Sequence, residues 1–301
     1  MIKRISIIIL FFALIGVSFA QNDGPANTGL SFLKLGVSAR AVSMGEAVVS
    51  NSEDASSVHY NPASMFLGPD VNAIIMHNQE IQGIRTEYLA ARVKLTKFAF
   101  GFNVNNTAVS DIEVREIPGD PQTTFTAQDF ELGFSGAYKV NESLQFGLTA
   151  KFLYEKIYID NNDGYAFDFG GLYTKDRLSI GAALTNLGTM NSLRNEPTKL
   201  PASFRIGASY LFPLTGIGAT LRVAADGYKV INGGIIHANT GAEFVYKELF
   251  SVRAGYQSGY ENKNITTGIG IKYKAFNLDY AFVPYKFSLG SSHTLTLGTS
   301  F

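Results

Sequence analysis

The sequence predicts an all-β fold: a transmembrane antiparallel β-barrel of about fourteen strands with an N-terminal plug segment. Three observations predict it: an export address at the start, a period-two alternation of apolar and polar residues through most of the chain, and connections that are alternately short and long. Composition agrees with this class. Charged residues make up 17% of the chain, against about 25% in an average soluble protein. Phe, Tyr and 30 glycines are in excess, which suits strands that face lipid on one side and pack closely on the other. Basic and acidic residues cancel at 25 each, so no nucleic-acid footprint is present.

In chain order, Lys3 and Arg4 open a charged start, Ile5 to Val17 is almost unbroken apolar sequence, and Ser18-Phe19-Ala20 is a small-x-small cleavage site before Gln21. This is the pattern of a secretory signal peptide, so residues 1–20 are expected to be cleaved on export. The apolar run is shorter than the roughly 20 residues a spanning helix needs. Cysteine is absent, which excludes a lipoprotein anchor, disulfides, thiolate metal sites and a Cys nucleophile.

Residues 21–69 do not read as barrel. They carry Gly29, Gly36, Gly45 and Gly68 with Pro25, Pro62 and Pro69, and a helix-compatible stretch around Ser38 to Ala47. The segment is too long for a connection between compact elements. Its apolar residues, among them Leu30, Phe32, Leu33, Leu35, Val37, Val48, Val49, Met65 and Phe66, are too many for a solvated leader. An ordered plug inside the lumen is the expectation. Arg40 is the only Lys or Arg between Lys34 and Arg85 and sits among the small residues Ser38, Ala39 and Ala41. It is the expected anchor, because a guanidinium close to lumen carboxylates makes bidentate pairs that a Lys cannot copy.

Residues 70–301 are the expected barrel. Leu144, Phe146, Leu148, Ala150, Phe152 and Tyr154 alternate with Gln145, Gly147, Thr149, Lys151 and Glu155, and comparable rows recur along the chain. A period of two puts each set on one strand face, one for lipid and one for a polar lumen. The expected strands are 70–79, 84–95, 97–106, 123–139, 143–158, 163–175, 177–186, 201–213, 217–228, 236–247, 249–258, 264–274, 276–284 and 292–301. Short turns at Thr96-Lys97, Asn141-Glu142, Lys175-Asp176, Lys247-Glu248 and Lys274-Ala275 alternate with longer connections. Outer-membrane barrels have short periplasmic turns and longer outside loops, and an even strand number then leaves both termini periplasmic. Tyr138, Tyr173, Tyr246 and Tyr273 each precede a short turn, as an interfacial girdle requires. The phase turns Glu131, Lys151, Glu155, Asp168, Arg205, Arg222, Asp226, Arg253, Lys272 and Asp279 to the lumen. Mixed signs fit a wall that pairs with itself and with a plug, not a pore selecting one ion charge.

The N-terminal segment carries a resemblance. Gly36, Ala39, Arg40, Met44, Gly45 and Ala47, followed by Asp54, Ala55, Asn61, Pro62 and Ala63, resemble the signature of the PorV/PorQ family of the FadL-like outer-membrane barrels. Ser64-Met65 stands where that family usually has Gly-Leu. The resemblance implies a plugged barrel that is either a type IX secretion component or a transporter of hydrophobic compounds. It also implies that Arg40, Met44, Gly45, Asp54, Asn61, Pro62 and Ala63 form the plug motif. The closing strand alternates to a C-terminal Phe301, which is similar to the signal read by the outer-membrane assembly machinery.

No cofactor motif is present. His59, His77, His237 and His293 lack zinc spacing, and no Walker loop, dinucleotide fingerprint or nucleophile elbow occurs. The nearest set for an enzyme is His237 with Asp226 and Ser251, although His237 also reads as an interfacial side chain. The reading is a non-enzymatic outer-membrane protein of PorV/PorQ type, a component or partner of a type IX secretion system, with a FadL-like transporter of hydrophobic small molecules as the alternative. Its partners are membrane lipid, the barrel assembly machinery, and secretion-system proteins or a hydrophobic ligand.

Overall fold

The computed structural model describes residues 28–115, 117–193, 196–231 and 233–301; the expected signal peptide, residues 1–20, lies outside them. The strands are β1 (Val71–Gln79), β2 (Ile84–Lys94), β3 (Phe98–Val114), β4 (Thr123–Lys139), β5 (Leu144–Ile157), β6 (Asp160–Lys175) and β7 (Leu178–Met190). A two-stranded ladder, β8 (Ser192–Leu193) with β9 (Glu196–Pro197), follows. Then come β10 (Ser203–Leu214), β11 (Ala219–Val230), β12 (His237–Tyr246), β13 (Phe250–Gln257), β14 (Ile265–Tyr273), β15 (Phe276–Pro284) and β16 (Ser291–Ser300).

All but the small ladder form one closed barrel of fourteen antiparallel strands, each paired with its chain neighbour. The seam joins β1 to β16 from Asn72↔Ser300 to Gln79↔His293. Closure leaves no free edge along the wall, the condition for strands to cross a membrane. The period of two explains the faces. In β5, Gln145, Thr149, Lys151, Leu153 and Glu155 are buried inward, while Phe146, Leu148 and Phe152 are exposed outward. Ile75, Phe100, Phe134, Phe169, Ile206, Val252 and Leu297 continue that apolar exterior around the wall. Exposed apolar area on this scale marks a surface made for lipid.

The wall is uneven. β3 and β4 have 17 residues each, against 8 in β13, and about 9–11 tilted residues suffice to cross a bilayer. The third strand runs on to Val114, where the sequence predicts an end at 106. Its extra half reads as loop because, beyond the lipid, nothing requires apolar residues on the outward face. A register shift between Val109 and Ile112, with Asp111 at φ 59°, bends it further. β7 likewise continues to Met190, past a register shift opposite Phe167 and Phe169 where Asn186 has φ 60°.

The helix expected over 38–47 is a single turn, Ala39–Ser43. It stops because Gly45 and Glu46 adopt left-handed φ values of 63° and 58°. The chain ends of the barrel meet as expected, Val71 beside Phe301. The first described residues of the N-terminal segment, however, lie at the opposite end of the wall. The Gly29 amide bonds Lys199 O at 2.9 Å, and Leu30, Phe32 and Leu33 pack with Leu153, Ala166, Met190 and Leu200 near the loop ends of β5, β6 and β7. From there the chain runs the height of the barrel to reach β1 at the short-turn end.

Candidate functional site

The inward wall and residues 29–67 form one buried polar interface, built from single-turn helices and bends rather than from long elements. Such a segment cannot satisfy its own backbone, so the wall must do so. The Ala39 amide donates to Thr296 Oγ1 at 2.9 Å and the Gly45 amide to Thr266 Oγ1 at 3.0 Å. The Val49 amide donates to Asp226 Oδ2 at 2.9 Å and the Ala55 amide to Asn72 Oδ1 at 2.6 Å. Arg92, on β2, donates to Met65 O at 2.6 Å, Glu53 O at 2.7 Å and Leu67 O at 2.5 Å.

Arg40 lies at the centre. Its Nε and Nη2 donate to Glu243 Oε1 and Oε2 at 2.9 and 2.7 Å, a bidentate fork, and its Nη1 donates to Asn51 O at 2.9 Å. Glu243, on β12, also accepts from Arg253 Nε at 2.8 Å, and Arg253 Nη1 reaches Asp279 Oδ1 at 2.6 Å. Arg222 lies 3.7 Å from Glu243 and pairs with Glu53 of the segment. Burial alone would lower the Arg40 guanidinium, but the Glu243 carboxylate, then Glu53, hold it above its ordinary range. Breaking one side of such a buried pair costs about 3–5 kcal/mol.

The remaining signature residues are buried as well, except Asp54, which is half-buried. Met44 caps the Ala39–Ser43 turn, with its amide bonded to Arg40 O and Ala41 O. Gly45 lies against β12 and β13, where a Cβ would meet Thr240 O at 2.9 Å. Asp54 accepts from the Ser56 amide at 2.9 Å and from Ser38 Oγ at 3.1 Å, tying two parts of the segment together. Asn61 accepts from the Ala63 amide at 3.1 Å, and its Nδ2 donates to Val49 O at 2.7 Å and Gly171 O at 3.1 Å. Pro62 begins a 3-10 turn, Pro62–Phe66, where its missing N–H costs nothing. Room for this corner comes from the wall: a Cβ on Gly147 would stand 2.5 Å from Ala63 N, and one on Gly170 2.1 Å from Asn61 Oδ1. Phe301 lies just past β16 on the outward row with Leu295 and Leu297.

His59 is buried beside Tyr60 and Tyr88, with ring centroids 5.0 and 6.2 Å away. Burial, then the charges of Lys151 and Arg205, lower its pKa well below the ordinary imidazole value. Burial and the nearby Glu46 raise the Tyr60 phenol, whose oxygen accepts from the Val37 amide at 3.2 Å. A cavity of about 30 Å³ remains, lined by Glu46, His59, Tyr60, Arg205 and Tyr228 among others. That is room for about two waters.

The structure does not bring His237, Asp226 and Ser251 together. Asp226 stands opposite Asn239 and is engaged by the Val49 amide, while Ser251 opposes Val245 towards the short-turn end of β12. His237 is not an interfacial side chain either: it is fully buried, stacked on Tyr260 at 4.1 Å between ring centroids. It begins a strand whose inward parity the local sequence leaves unmarked. Sequence reasoning passed over Glu243, Arg92 and the wall glycines. The signal for Glu243 was available, since it faces Arg253 across the β12–β13 ladder and shares its parity.

A family model described as "Type IX secretion system membrane protein PorP/SprF" matches residues 54–299. No curated protein matches the chain. Among solved structures, the barrel is similar to the CymD monoaromatic hydrocarbon channel (TM-score 0.62, 12% identity, covering 88% of this chain and 98% of that one). It is also similar to the Pseudomonas putida toluene transporter TodX (TM-score 0.58, 13% identity, covering 87% and 96%). At these identities the likeness is one of fold alone.

Proposed function

Because the chain belongs to the type IX secretion system membrane protein PorP/SprF family, we propose that it serves that system from the outer membrane as a non-enzymatic component, engaging proteins at its loop end. The observation that carries this reading is the family match over residues 54–299, and the seating of residues 29–67 against the inner wall supports it. Residues 29–67 are held by side chains from around the wall, and the pocket beside them lined by Glu46, His59, Tyr60 and Arg205 is about 30 Å³. Sites for apolar small molecules are usually about 300–1,000 Å³ and mostly hydrophobic, so this pocket does not itself fit a hydrophobic ligand.

On this reading residues 1–20 are a cleaved signal peptide, residues 21–69 a plug and residues 70–301 the barrel, with Phe301 as its assembly signal. The family match begins at Asp54, so the PorV/PorQ-like first half of the signature, Gly36 to Ala47, supports the plug reading separately. The partners would be secretion-system proteins, the assembly machinery and membrane lipid. Affinity purification from detergent-solubilised outer membrane tests the proposal. Type IX components are expected to copurify. Their absence, together with uptake of aromatic hydrocarbons by vesicles holding the purified barrel, would overturn it in favour of transport.

A further inference from the structure

Three lysines converge at the short-turn end of the barrel. Lys247 lies in the β12–β13 turn, Lys272 at the end of β14 and Lys274 in the β14–β15 turn, and with Glu248, Leu249 and Tyr273 they line an open notch of about 440 Å³. All three are exposed, and none has a carboxylate within ion-pair distance among the described residues. Elsewhere at this end Lys94 pairs with Asp70 and Lys139 with Glu142, each at 3.1 Å.

Two of the ammonium groups stand over aromatic rings. Lys247 Nζ stands 5.2 Å from the centroid of the Tyr246 ring, and Lys274 Nζ 5.4 Å from that of Tyr273. Both tyrosines are on outward, exposed positions, directly across the ladder from Phe250 and Phe276. Such rings form the girdle that lies at headgroup level. Lys247 and Lys274 therefore stand at the level of lipid phosphates, over rings whose faces favour them, while Lys272, at the exposed end of the inward row of β14, lines the notch from the barrel mouth. An ammonium donates well to the non-bridging oxygens of a phosphodiester.

We infer that the notch between Lys247, Lys272 and Lys274 is a binding site for the phosphate headgroup of an anionic phospholipid in the inner leaflet. The inference rests on the membrane placement of the barrel and not on its role in secretion, so its failure would leave that role untouched.

The test uses the purified full-length mature barrel in vesicles of phosphatidylethanolamine alone or in an equal mixture with phosphatidylglycerol. Lipid retained after detergent extraction is read by native mass spectrometry. A lysine at an anionic surface contributes about a fivefold factor at most, so three together set a ceiling of about a hundredfold. We expect at least about a tenfold preference for phosphatidylglycerol at low salt, falling as salt screens the charges. K247Q/K272Q/K274Q should lose the preference, K247R/K272R/K274R should keep it, and K286Q in an outer loop should not change it. Heat-modifiable migration checks that each barrel is folded, and the salt titration of the unmodified protein stands independently of any variant. No preference in the unmodified protein, or an undiminished one in the folded triple Gln variant, overturns the inference. So does equal displacement by glycerol phosphate in solution, which would make the notch a soluble-anion site. Loss of a bound acidic periplasmic protein from the triple variant, with lipid preference intact, would make it a protein site and also overturn the inference.

Discussion

Arg40 gives three donors to two different parts of the protein, a carboxylate on the wall and a carbonyl in its own segment. A lysine could reproduce one of these contacts but not the fork, so Arg40→Lys and Arg40→Ala should both loosen residues 29–67, the alanine more. We expect a loss of about 3–5 kcal/mol in seating for Arg40→Ala and about 1–3 for Arg40→Lys. It would be read as new protease cleavage in the segment while the strands keep their heat-modifiable migration. Unchanged resistance would mean that Arg40 is dispensable. His59 adds a pH dependence whose sign follows from its burial. Its pKa is lowered when seated and returns to about 6.5 when released. The stability from the neutral ring is thus fully present above pH 6.5 and lost as pH falls towards the depressed value, by up to about 1.4 kcal/mol per pH unit. Protease sensitivity of the segment should rise between pH 7 and 5, and His59→Gln should flatten that rise. An acid response equal in both proteins would assign it to another group.

At the scale of elements, strands were legible wherever lipid acts on them. Thirteen of the expected spans lie within a few residues of a barrel strand because an apolar residue every second position is imposed by the membrane itself, as in β5 with Phe146, Leu148 and Phe152. Where the wall leaves the bilayer that pressure ends, and the outer half of β3, with Asn105, Asn106, Ser110 and Asp111, reads as loop. The interior was legible in part. Parity gave the inward charges, but which of them meet depends on register across strands far apart in sequence, so Glu243 could not be matched to Arg40. The glycines of the wall were equally silent, since a glycine for close approach looks like a glycine for a bend. Gly255 is decisive among them: a Cβ there would lie 2.1 Å from Gly45 N and 2.4 Å from the Met44 carbonyl carbon, backbone that cannot swing aside. Gly255→Val should therefore unseat the segment as strongly as Arg40→Ala while leaving Val252 and Tyr256 on the lipid face. Limited proteolysis and strand content by circular dichroism separate the two effects, and a protected segment in the variant would show that the seat tolerates a side chain.

At the scale of the whole molecule, the seam and the two ends carry the functional argument. Phe301 is 74% exposed and pairs through its backbone with Val71 at 3.0 and 3.1 Å. Its ring adds nothing to the interior, so Phe301→Ser should reduce the amount of assembled barrel in the outer membrane without changing the stability of what assembles. Normal yield in quantitative immunoblots would count against an assembly role. The two ends differ in kind: one has the long hairpin of β3 and β4, the other connections and the first described residues of the N-terminal segment, while the other end has short turns rich in lysine. If the first end faces the outside, the surface offered to secretion partners includes the start of the segment as well as the loops. The absence of cysteine makes this measurable with single substitutions. Asp120→Cys and Lys286→Cys at the loop end should react with a membrane-impermeant maleimide on intact cells, and Thr28→Cys should join them. Lys97→Cys and Asp176→Cys in the short turns should react only after the outer membrane is permeabilised. All four flanking positions are exposed, so differences in labelling report the side of the membrane and not burial. The reverse pattern would invert the barrel and move the proposed partner face to the periplasm. Labelling of Thr28→Cys with the short-turn set would mean that the segment enters the lumen from below.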